Sequence, residues 1–216
     1  MDIEKARFNM IEQQIRPWDV LDPAILDALH QVPRERFVPP GYEDLAFADI
    51  QIPLGNGEVM MEPRLEARLI QELTLTLSDK VLEVGTGSGY MTALLARLAG
   101  QVVSVERHGE FSKQAGERLR ELGIDNVVLE TGDAGKGWPS ADGFDAIILT
   151  GSVPEIPQGF IDSLRDGGRL VAVVGSTPVM EAVRLVKQGG EIVRTSLFDT
   201  VLPPLANAVA PRRFVF

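Results

Sequence analysis

Three glycines spaced one residue apart, Gly85, Gly87 and Gly89, stand between two apolar segments of the chain. The segment before them, Lys80–Val84, has the length and composition of a buried strand, and the segment after them begins at Met91. Glycine adopts backbone angles that are closed to other residues, so a ligand can approach the main chain closely at such a turn. The helix that follows would direct unpaired N–H groups at that ligand. The pattern predicts a nucleotide-type site at the edge of a doubly wound sheet.

The acids around this turn discriminate between nucleotide cofactors. A dinucleotide fingerprint, G-x-G-x-x-G, would need a third glycine where the chain has Tyr90. Glu83, two residues before Gly85, would repel a pyrophosphate but attract a ligand that carries ammonium and sulfonium charges. Glu106 ends the next apolar segment, where an acid can accept both hydroxyls of a ribose. We therefore expect S-adenosylmethionine rather than a nicotinamide dinucleotide; the alternative is a tight turn and a strand-end carboxylate with no ligand.

Composition narrows the classes of function that are open to this chain of 216 residues. The formal net charge is −10 and there is no basic cluster, which disfavours binding to nucleic acid. There is no cysteine, which excludes disulfides and thiolate metal sites, and we predict no metal. The charged N-terminus is unlike a signal peptide, and no apolar run approaches the ~20 residues of a membrane span. We expect one cytoplasmic domain (1–216) with no membrane partner.

Two parts of the chain differ in their periodicity. Residues 1–79 are predicted to form an N-terminal extension of helices and loops, with helices beginning at Pro23 and Pro63. The stretch Val32–Gly57, rich in proline and glycine, is predicted to be an ordered loop region. Residues 80–216 alternate between strand and helix patterns, which is typical of parallel strands joined by crossover helices. This second part is predicted to be a Rossmann-like cofactor-binding core.

The fold class predicted for the core is α/β, a doubly wound and mostly parallel sheet of seven strands. The predicted strands are Lys80–Val84, Gln101–Glu106, Asn126–Glu130, Asp145–Leu149, Arg169–Val174, Glu181–Lys187 and Glu191–Phe198. The predicted helices between them are Tyr90–Leu98, Glu110–Leu122 and Gln158–Leu164. Gly189 and Gly190 separate the last two strands, so the sheet should finish with an antiparallel hairpin.

At these motifs the chain resembles the protein-L-isoaspartate O-methyltransferases, a family of class I S-adenosylmethionine-dependent methyltransferases. The matching segments are 32–39, 48–55, 81–90, 105–107, 132–133, 137–138, 144–148, 154–157 and 167–170. Many methyltransferases share the glycine motif, whereas Val32–Val38, Ile52–Gly55 and the Gly137-Trp138 pair are more specific. The resemblance implies an S-adenosylmethionine-dependent enzyme of protein repair that esterifies isoaspartyl carboxylates in protein or peptide substrates.

The resemblance also assigns residues to parts of the cofactor. Glu83 would lie near the methionine portion, Glu106 would accept the ribose hydroxyls, and Asp133 would accept from the adenine amino group. Asp133 taken alone is an ordinary turn residue, but its place after a strand downstream of Glu106 favours the adenine role. The residues that the resemblance assigns to cofactor binding are Glu83, Gly85, Gly87, Glu106, Arg107, Asp133 and Ala134.

The segment Glu58–Pro63 departs from the family pattern. Met61 stands where the family has its active-site serine, and Glu62 stands where it has a glutamine. A carboxylate acceptor should therefore lose a hydrogen-bond donor and meet a like charge. No catalytic residue is assigned, because an ionised carboxylate needs alignment with the methyl group rather than a base. The residues predicted to face the substrate are Asp49, Pro53, Met61 and Glu62.

Three functions stay open at this point. The favoured one is an isoaspartyl carboxyl methyltransferase, because the matching motifs cover most of residues 32–175. Met61 and Glu62 support a second, a methyltransferase of the same fold with a small-molecule acceptor. The missing serine supports a third, a non-catalytic module that binds S-adenosylmethionine. A Met60-Met61 pair ahead of a helix more often fills the core than takes a special role, and the sequence does not fix the oligomeric state.

Overall fold

The N-terminal extension consists of helices that begin at capped or proline-bearing positions. A computed structural model describes residues 2–208 of the chain. Its first three helices are α1 (Ile3–Met10), α2 (Pro23–Gln31) and α3 (Pro63–Glu72). The Asp22 carboxylate accepts a hydrogen bond from the backbone N–H of Ala24 at 2.9 Å, and Pro23 takes the first helical position. The predicted starts of α2 and α3 are thus confirmed.

A β-hairpin occupies part of the region predicted as loop. Strands β1 (Ile52–Gly55) and β2 (Glu58–Met60) pair antiparallel. The turn residues Gly55, Asn56 and Gly57 all have positive φ, as a tight hairpin turn requires. The loop prediction, which covered Val32–Gly57, is therefore wrong for residues 52–57, because the Asn56-Gly57 pair is a strong hairpin signal that outweighs the nearby prolines.

The seven-stranded sheet matches the predicted fold class. Its strands are β3 (Lys80–Val84), β4 (Gln101–Glu106), β5 (Val127–Thr131), β6 (Phe144–Leu149), β7 (Leu164–Ser176), β8 (Val179–Gln188) and β9 (Glu191–Asp199). The spatial order is β5-β4-β3-β6-β7-β8-β9. Pairing is parallel from β5 to β7, and β8 pairs antiparallel with both β7 and β9. The mostly parallel sheet with a C-terminal antiparallel hairpin is confirmed.

Three helices connect the parallel strands. They are α4 (Tyr90–Leu98), α5 (Gly109–Glu121) and α6 (Gln158–Asp162). Helix α6 ends before the predicted Leu164, because Leu164 is buried in the sheet and pairs with Phe144 at the start of β7. Strand β7 consequently begins earlier than the predicted Arg169. Within residues 2–208, no helix combines the length and apolarity that crossing a bilayer would require.

Apolar side chains of the extension cover one face of the sheet. A continuous buried cluster includes Ile15 and Leu29 from the extension together with Val81 and Ile148 from the central strands. A second cluster, which includes Leu82 from β3, fills the opposite face. The extension therefore packs directly on the sheet, and this packing sets where the β1–β2 hairpin lies.

The strand order reverses between β3 and β6. From β3 the chain builds outward through β4 and β5, whereas β6 and the later strands extend the sheet on the other side. Ligands of such sheets bind outside the carboxyl ends of the strands at this reversal. Gly85 follows β3 there, and the backbone N–H of Thr150, which follows β6, donates to the carbonyl of Val84 at 3.0 Å. The fold thus places the glycine turn at the expected position for a ligand.

Gly89 marks a close approach between the glycine turn and α5. Its φ is +86°, and a Cβ atom placed on it would lie 2.8 Å from Cβ of Ala115. Gly89→Ala should therefore lower the free energy of unfolding by about 2–4 kcal/mol, through left-handed strain and overpacking together. Gly123→Ala is the matched control, since Gly123 has φ +66° and open space around it, and should lose only about 1–2 kcal/mol. Urea denaturation measures both losses, and equal values would contradict the close-packing explanation.

Candidate functional site

A cleft of about 730 Å³ lies at the strand-order reversal. The glycine turn, the β1–β2 hairpin, the turn after β5 and residues 202–206 enclose it. Six of the seven predicted cofactor residues border it: Gly85, Gly87, Glu106, Arg107, Asp133 and Ala134.

The backbone of the glycine turn is held by Thr150. The Thr150 hydroxyl donates to the carbonyls of Val84 and Gly85 at 2.8 and 2.9 Å. Gly85 has φ +98°, and a Cβ atom on it would overlap the Thr150 hydroxyl. The turn therefore requires glycine at this position, which leaves backbone rather than side chain facing the cleft.

Glu106 is fixed by two backbone donors. Its Oε2 accepts from the N–H of Gly87 at 2.9 Å, and its Oε1 accepts from the N–H of His108 at 2.8 Å. The residue is only 4% exposed, and what is exposed borders the cleft. A carboxylate has about four acceptor positions, so each oxygen retains capacity for one more donor. Two neighbouring hydroxyl groups, such as those of a ribose, can each donate a hydrogen bond to one of these two oxygens.

Asp133, in the turn after β5, is held in a similar way. Its Oδ1 accepts from the N–H of Gly135 at 2.9 Å, and its Oδ2 accepts from the side-chain amide of Asn207 at 2.7 Å. These hydrogen bonds hold the pKa of Asp133 below its usual value, so the group stays ionised. Ala134 is buried beside it, and Arg107 is exposed at the same edge.

The ionisable residues that border the cleft are predominantly acidic. The lining contains three acids, Glu58, Glu106 and Asp133, and one base, Arg107. Such a lining favours a ligand with positive charge and disfavours the pyrophosphate of a dinucleotide. Apolar walls that include Phe111 and Leu205 complete the cleft and suit a planar base.

Glu83 lies behind the glycine turn rather than at the cleft. It is fully buried, and its Oε2 accepts from the hydroxyls of Thr92 at 2.5 Å and Ser104 at 2.6 Å. Burial, opposed by these hydrogen bonds, raises the pKa of Glu83 to about 8. A neutral carboxyl contributes no field, so the charge that would attract a sulfonium group comes from the three acids of the lining.

A second cavity of about 310 Å³ adjoins the cleft at the glycine turn. Six residues border both spaces: Leu54, Val59, Met61, Gly85, Gly87 and Thr150. Glu66 and Ser88 border the second cavity only. Met61 thus lies at the boundary between the two, and Glu66 is the one ionisable residue among those that border the smaller cavity.

Buried Arg34 positions both Met61 and Glu66. Its Nε donates to the carbonyl of Ala46 at 2.9 Å, one terminal nitrogen donates to the carbonyl of Met61 at 2.6 Å, and the other pairs with the Glu66 carboxylate. The guanidinium carbon lies 4.6 Å from the centre of the Tyr90 ring. Arg34 therefore joins the extension and α3 to the first residue of α4.

The hairpin that borders both cavities is tied to the start of α5. The Asn56 amide donates to Glu110 at 2.5 Å, and Glu58 lies 3.6 Å from the His108 ring. Leu54 packs over Gly87, where an added Cβ atom would be 3.2 Å from its Cδ1. The hairpin thus covers the glycine turn from one side.

Three of the predicted substrate-facing residues lie outside both linings. The Asp49 carboxylate pairs with Arg64 at 2.8 Å, and Pro53 is an exposed residue of β1. Glu62 precedes α3 and lies 3.5 Å from the amide of Gln51. Among the four, only Met61 borders the cavities. The acid that borders the second cavity together with Met61 is Glu66, which lies one helical turn after Glu62.

Several residues of the site were not predicted from the sequence. The hairpin residues Leu54, Glu58 and Val59 were detectable through the Asn56-Gly57 turn signal. Thr150 could be expected at the end of a strand beside the glycine turn. The remaining residues had no local signal, because they depend on how distant segments pack: Arg34, Glu66, Leu202, Pro203, Pro204 and Leu205. No three His, Asp or Glu side chains in residues 2–208 are placed to hold a metal ion.

Comparison with known proteins identifies the family. The model of the protein-L-isoaspartate(D-aspartate) O-methyltransferase family matches residues 5–210. The chain belongs to this family. A protein-L-isoaspartate O-methyltransferase from Methanoculleus marisnigri is 40% identical over 201 residues, which cover 93% of this chain and 91% of that protein. Protein-L-isoaspartate O-methyltransferase 1 from Rhodopseudomonas palustris is 41% identical and covers 93% and 80%.

Solved structures agree with this family assignment. A protein-L-isoaspartate O-methyltransferase superimposes with a TM-score of 0.79 at 26% identity, covering 93% of this chain and 65% of that one. A Plasmodium falciparum β-aspartate methyltransferase, crystallised with S-adenosyl-L-homocysteine, superimposes with a TM-score of 0.78 over 96% of this chain and 99% of that one. The second is 20% identical and supports the fold alone.

Glu106→Ala should weaken binding of S-adenosyl-L-homocysteine by about 1–3 kcal/mol, the scale of hydrogen bonds to a charged group. Titration calorimetry measures the affinity. Glu130→Ala is the matched control, because Glu130 lies in the neighbouring strand β5, accepts from the Trp138 ring N–H at 2.8 Å and does not border the cleft. Unchanged affinity in Glu106→Ala, or an equal loss in the control, would contradict the role given to Glu106.

Proposed function

We propose that this protein is an S-adenosylmethionine-dependent methyltransferase that esterifies the carboxylate of isoaspartyl residues in proteins or peptides. The observation that carries the proposal is the cleft at the strand-order reversal, in which Glu106 and Asp133 each keep free acceptor positions. Family membership supports the same reaction.

The residues of the cleft fit this cofactor along its whole length. Glu106 would hold the ribose hydroxyls, and Asp133 with the backbone at Ala134 would hold the adenine edge. The backbone at Gly85 and Gly87 would lie against the methionine portion. The acidic lining suits a ligand with a sulfonium and an ammonium charge, which supports this cofactor over a dinucleotide.

The bound cofactor supplies a methyl group on a positively charged sulfur. The chain's task is to hold an acceptor oxygen in line with that methyl group and to keep water away. The second cavity meets the cleft at the glycine turn, so we assign the acceptor to it. Its lining combines three methionines, Met60, Met61 and Met91, with the polar side chains of Glu66, Thr86, Ser88 and Thr150. No base is required, because an acceptor carboxylate is ionised at neutral pH.

A methyltransferase with a different acceptor is the second candidate. It is favoured by Met61, whose thioether borders both cavities and cannot donate a hydrogen bond to a carboxylate. The intact cofactor cleft does not favour a non-catalytic module, since it keeps groups for both the ribose and the adenine.

We also propose that residues 1–216 act as one domain, in which the extension carries the acceptor side and residues 80–216 carry the cofactor. The buried cluster shared by the extension and the sheet supports this. A cytoplasmic location is proposed as well, since the acidic chain without cysteine is compatible with it.

The acceptor is tested with a pair of peptides that differ only in an isoaspartyl or an aspartyl linkage. Transfer of a radiolabelled methyl group should occur to the isoaspartyl peptide and not to its partner. Met61→Ser should raise kcat/KM by about tenfold, because it restores one hydrogen-bond donor worth about 1–1.5 kcal/mol at the cavity.

Glu62→Gln is the matched control for this position. Glu62 borders neither cavity, so the variant should give no gain in kcat/KM. A larger gain from Glu62→Gln than from Met61→Ser would overturn the assignment of the acceptor to the second cavity. No transfer to either peptide by the wild type or by Met61→Ser would overturn the isoaspartyl acceptor and favour the second candidate.

A further inference from the structure

Glu66 presents one free carboxyl oxygen to the second cavity. The residue is 3% exposed, on α3, and what is exposed borders that cavity. Its Oε2 is occupied by Arg34. Its Oε1 has no hydrogen-bond partner among residues 2–208, and it is not among the fully buried unpartnered atoms. This oxygen therefore reaches the cavity surface.

The surroundings of Glu66 leave it balanced between its two protonation states. Arg34 favours the ionised form through charge and hydrogen bonding. Burial and the nearby Glu62 favour the neutral form, and together they raise the pKa of Glu66 to about 7. From α4 the Tyr90 ring packs on Arg34, and from β3 the buried Glu83 is a further acid that interacts with Glu66.

The cavity contains few groups that could hold an acceptor carboxylate. Met61 offers no donor, and the Thr150 hydroxyl is used by backbone carbonyls. Ser88 accepts from the N–H of Tyr90 at 3.2 Å, so its own hydroxyl hydrogen is free to donate. A protonated Glu66 would supply a second donor at the same cavity.

We propose that Glu66, in its neutral form, donates a hydrogen bond to the acceptor carboxylate and so takes over the task for which the family uses its serine. The inference rests on the proposed function, because it needs an acceptor carboxylate in the second cavity. Ser88 donates to the same carboxylate. Ionised Glu66 has no proton to donate and repels the acceptor.

The proton stays on Glu66 during the reaction. One acceptor oxygen would form the new bond to the methyl carbon while the carbon–sulfur bond breaks. The electron pair of the carbon–sulfur bond would remain on sulfur. Glu66 holds the other acceptor oxygen, which becomes the carbonyl of the ester. Glu66 is thus a binding residue, and its ionisation should affect KM for the acceptor more than kcat.

The expected pH dependence follows from the free enzyme. As pH rises through about 7, Glu66 loses its proton, and kcat/KM for the isoaspartyl peptide should fall by about tenfold for each further pH unit. In the complex the bound acceptor carboxylate favours the protonated form of Glu66. The value of kcat at saturating peptide should therefore begin to fall only at a higher pH than kcat/KM does. The acceptor carboxylate itself is ionised at pH 7 and above, so it contributes nothing to the pH dependence of kcat/KM in this range.

The experiment is a profile of kcat and kcat/KM between pH 6 and 9, at saturating cofactor, for the wild type and Glu66→Gln. Glutamine keeps an acceptor for Arg34 and a permanent donor for the substrate. The variant should therefore lose the alkaline fall in kcat/KM and exceed the wild type by on the order of 100-fold at pH 9, two units above the pKa of Glu66. Glu35→Gln is the matched control, since Glu35 pairs with Arg7 at 2.8 Å away from both cavities, and its profile should follow the wild type.

A second readout separates this inference from the proposed function. Calorimetry in the presence of S-adenosyl-L-homocysteine measures binding of the isoaspartyl peptide, which should weaken above pH 7 in the wild type and not in Glu66→Gln. Two outcomes would overturn the role of Glu66 alone. In the first, the wild type methylates the peptide and its kcat/KM does not change with pH. In the second, kcat/KM still falls at alkaline pH in Glu66→Gln, and this fall is absent in Glu83→Gln. A wild type that neither binds nor methylates the peptide would overturn the proposed function and this inference together.

Discussion

Burial of the Arg34 guanidinium is the interaction on which the acceptor side of this protein depends. An arginine does not lose its charge in a protein, so a fully buried one must be satisfied where it lies or it costs several kcal/mol. Here the carbonyls of Ala46 and Met61 and Oε2 of Glu66, which accepts in either protonation state, satisfy it, and Tyr90 packs on it. One side chain thereby fixes α3 and the segment before it against the glycine turn.

The cofactor side rests on different physics. Backbone N–H groups orient the carboxylates of Glu106 and Asp133, and glycines bring the main chain close to the ligand. The field in the cleft comes from ionised groups in its lining, while buried Glu83 is largely neutral at pH 7. These two halves meet at Met61, which borders both cavities. A change in the extension can therefore alter the acceptor without altering the cofactor.

The sequence predicted the features that depend on local spacing. The strands, the glycine turn and the strand-end acid Glu106 follow from periodicity and position, and the structure agrees. The orientation of Glu83 was not predictable, because an acid in a strand can face the ligand or the interior, and only packing against Thr92 and Ser104 decides. Nothing local marked the pairing of Arg34 with Glu66, since arginine is usually exposed and the partner lies on a distant helix.

A double-mutant cycle on unfolding tests the central role of this pair most directly. At pH 9, where Glu66 is ionised, Arg34→Met and Glu66→Leu each leave one buried charge without its partner, and each should lower the free energy of unfolding by about 3–5 kcal/mol. The double variant removes both charges and should be destabilised by about 2–4 kcal/mol less than the sum, with the remainder due to the carbonyls of Ala46 and Met61. Strictly additive losses would contradict the claim that this ion pair holds the acceptor side together.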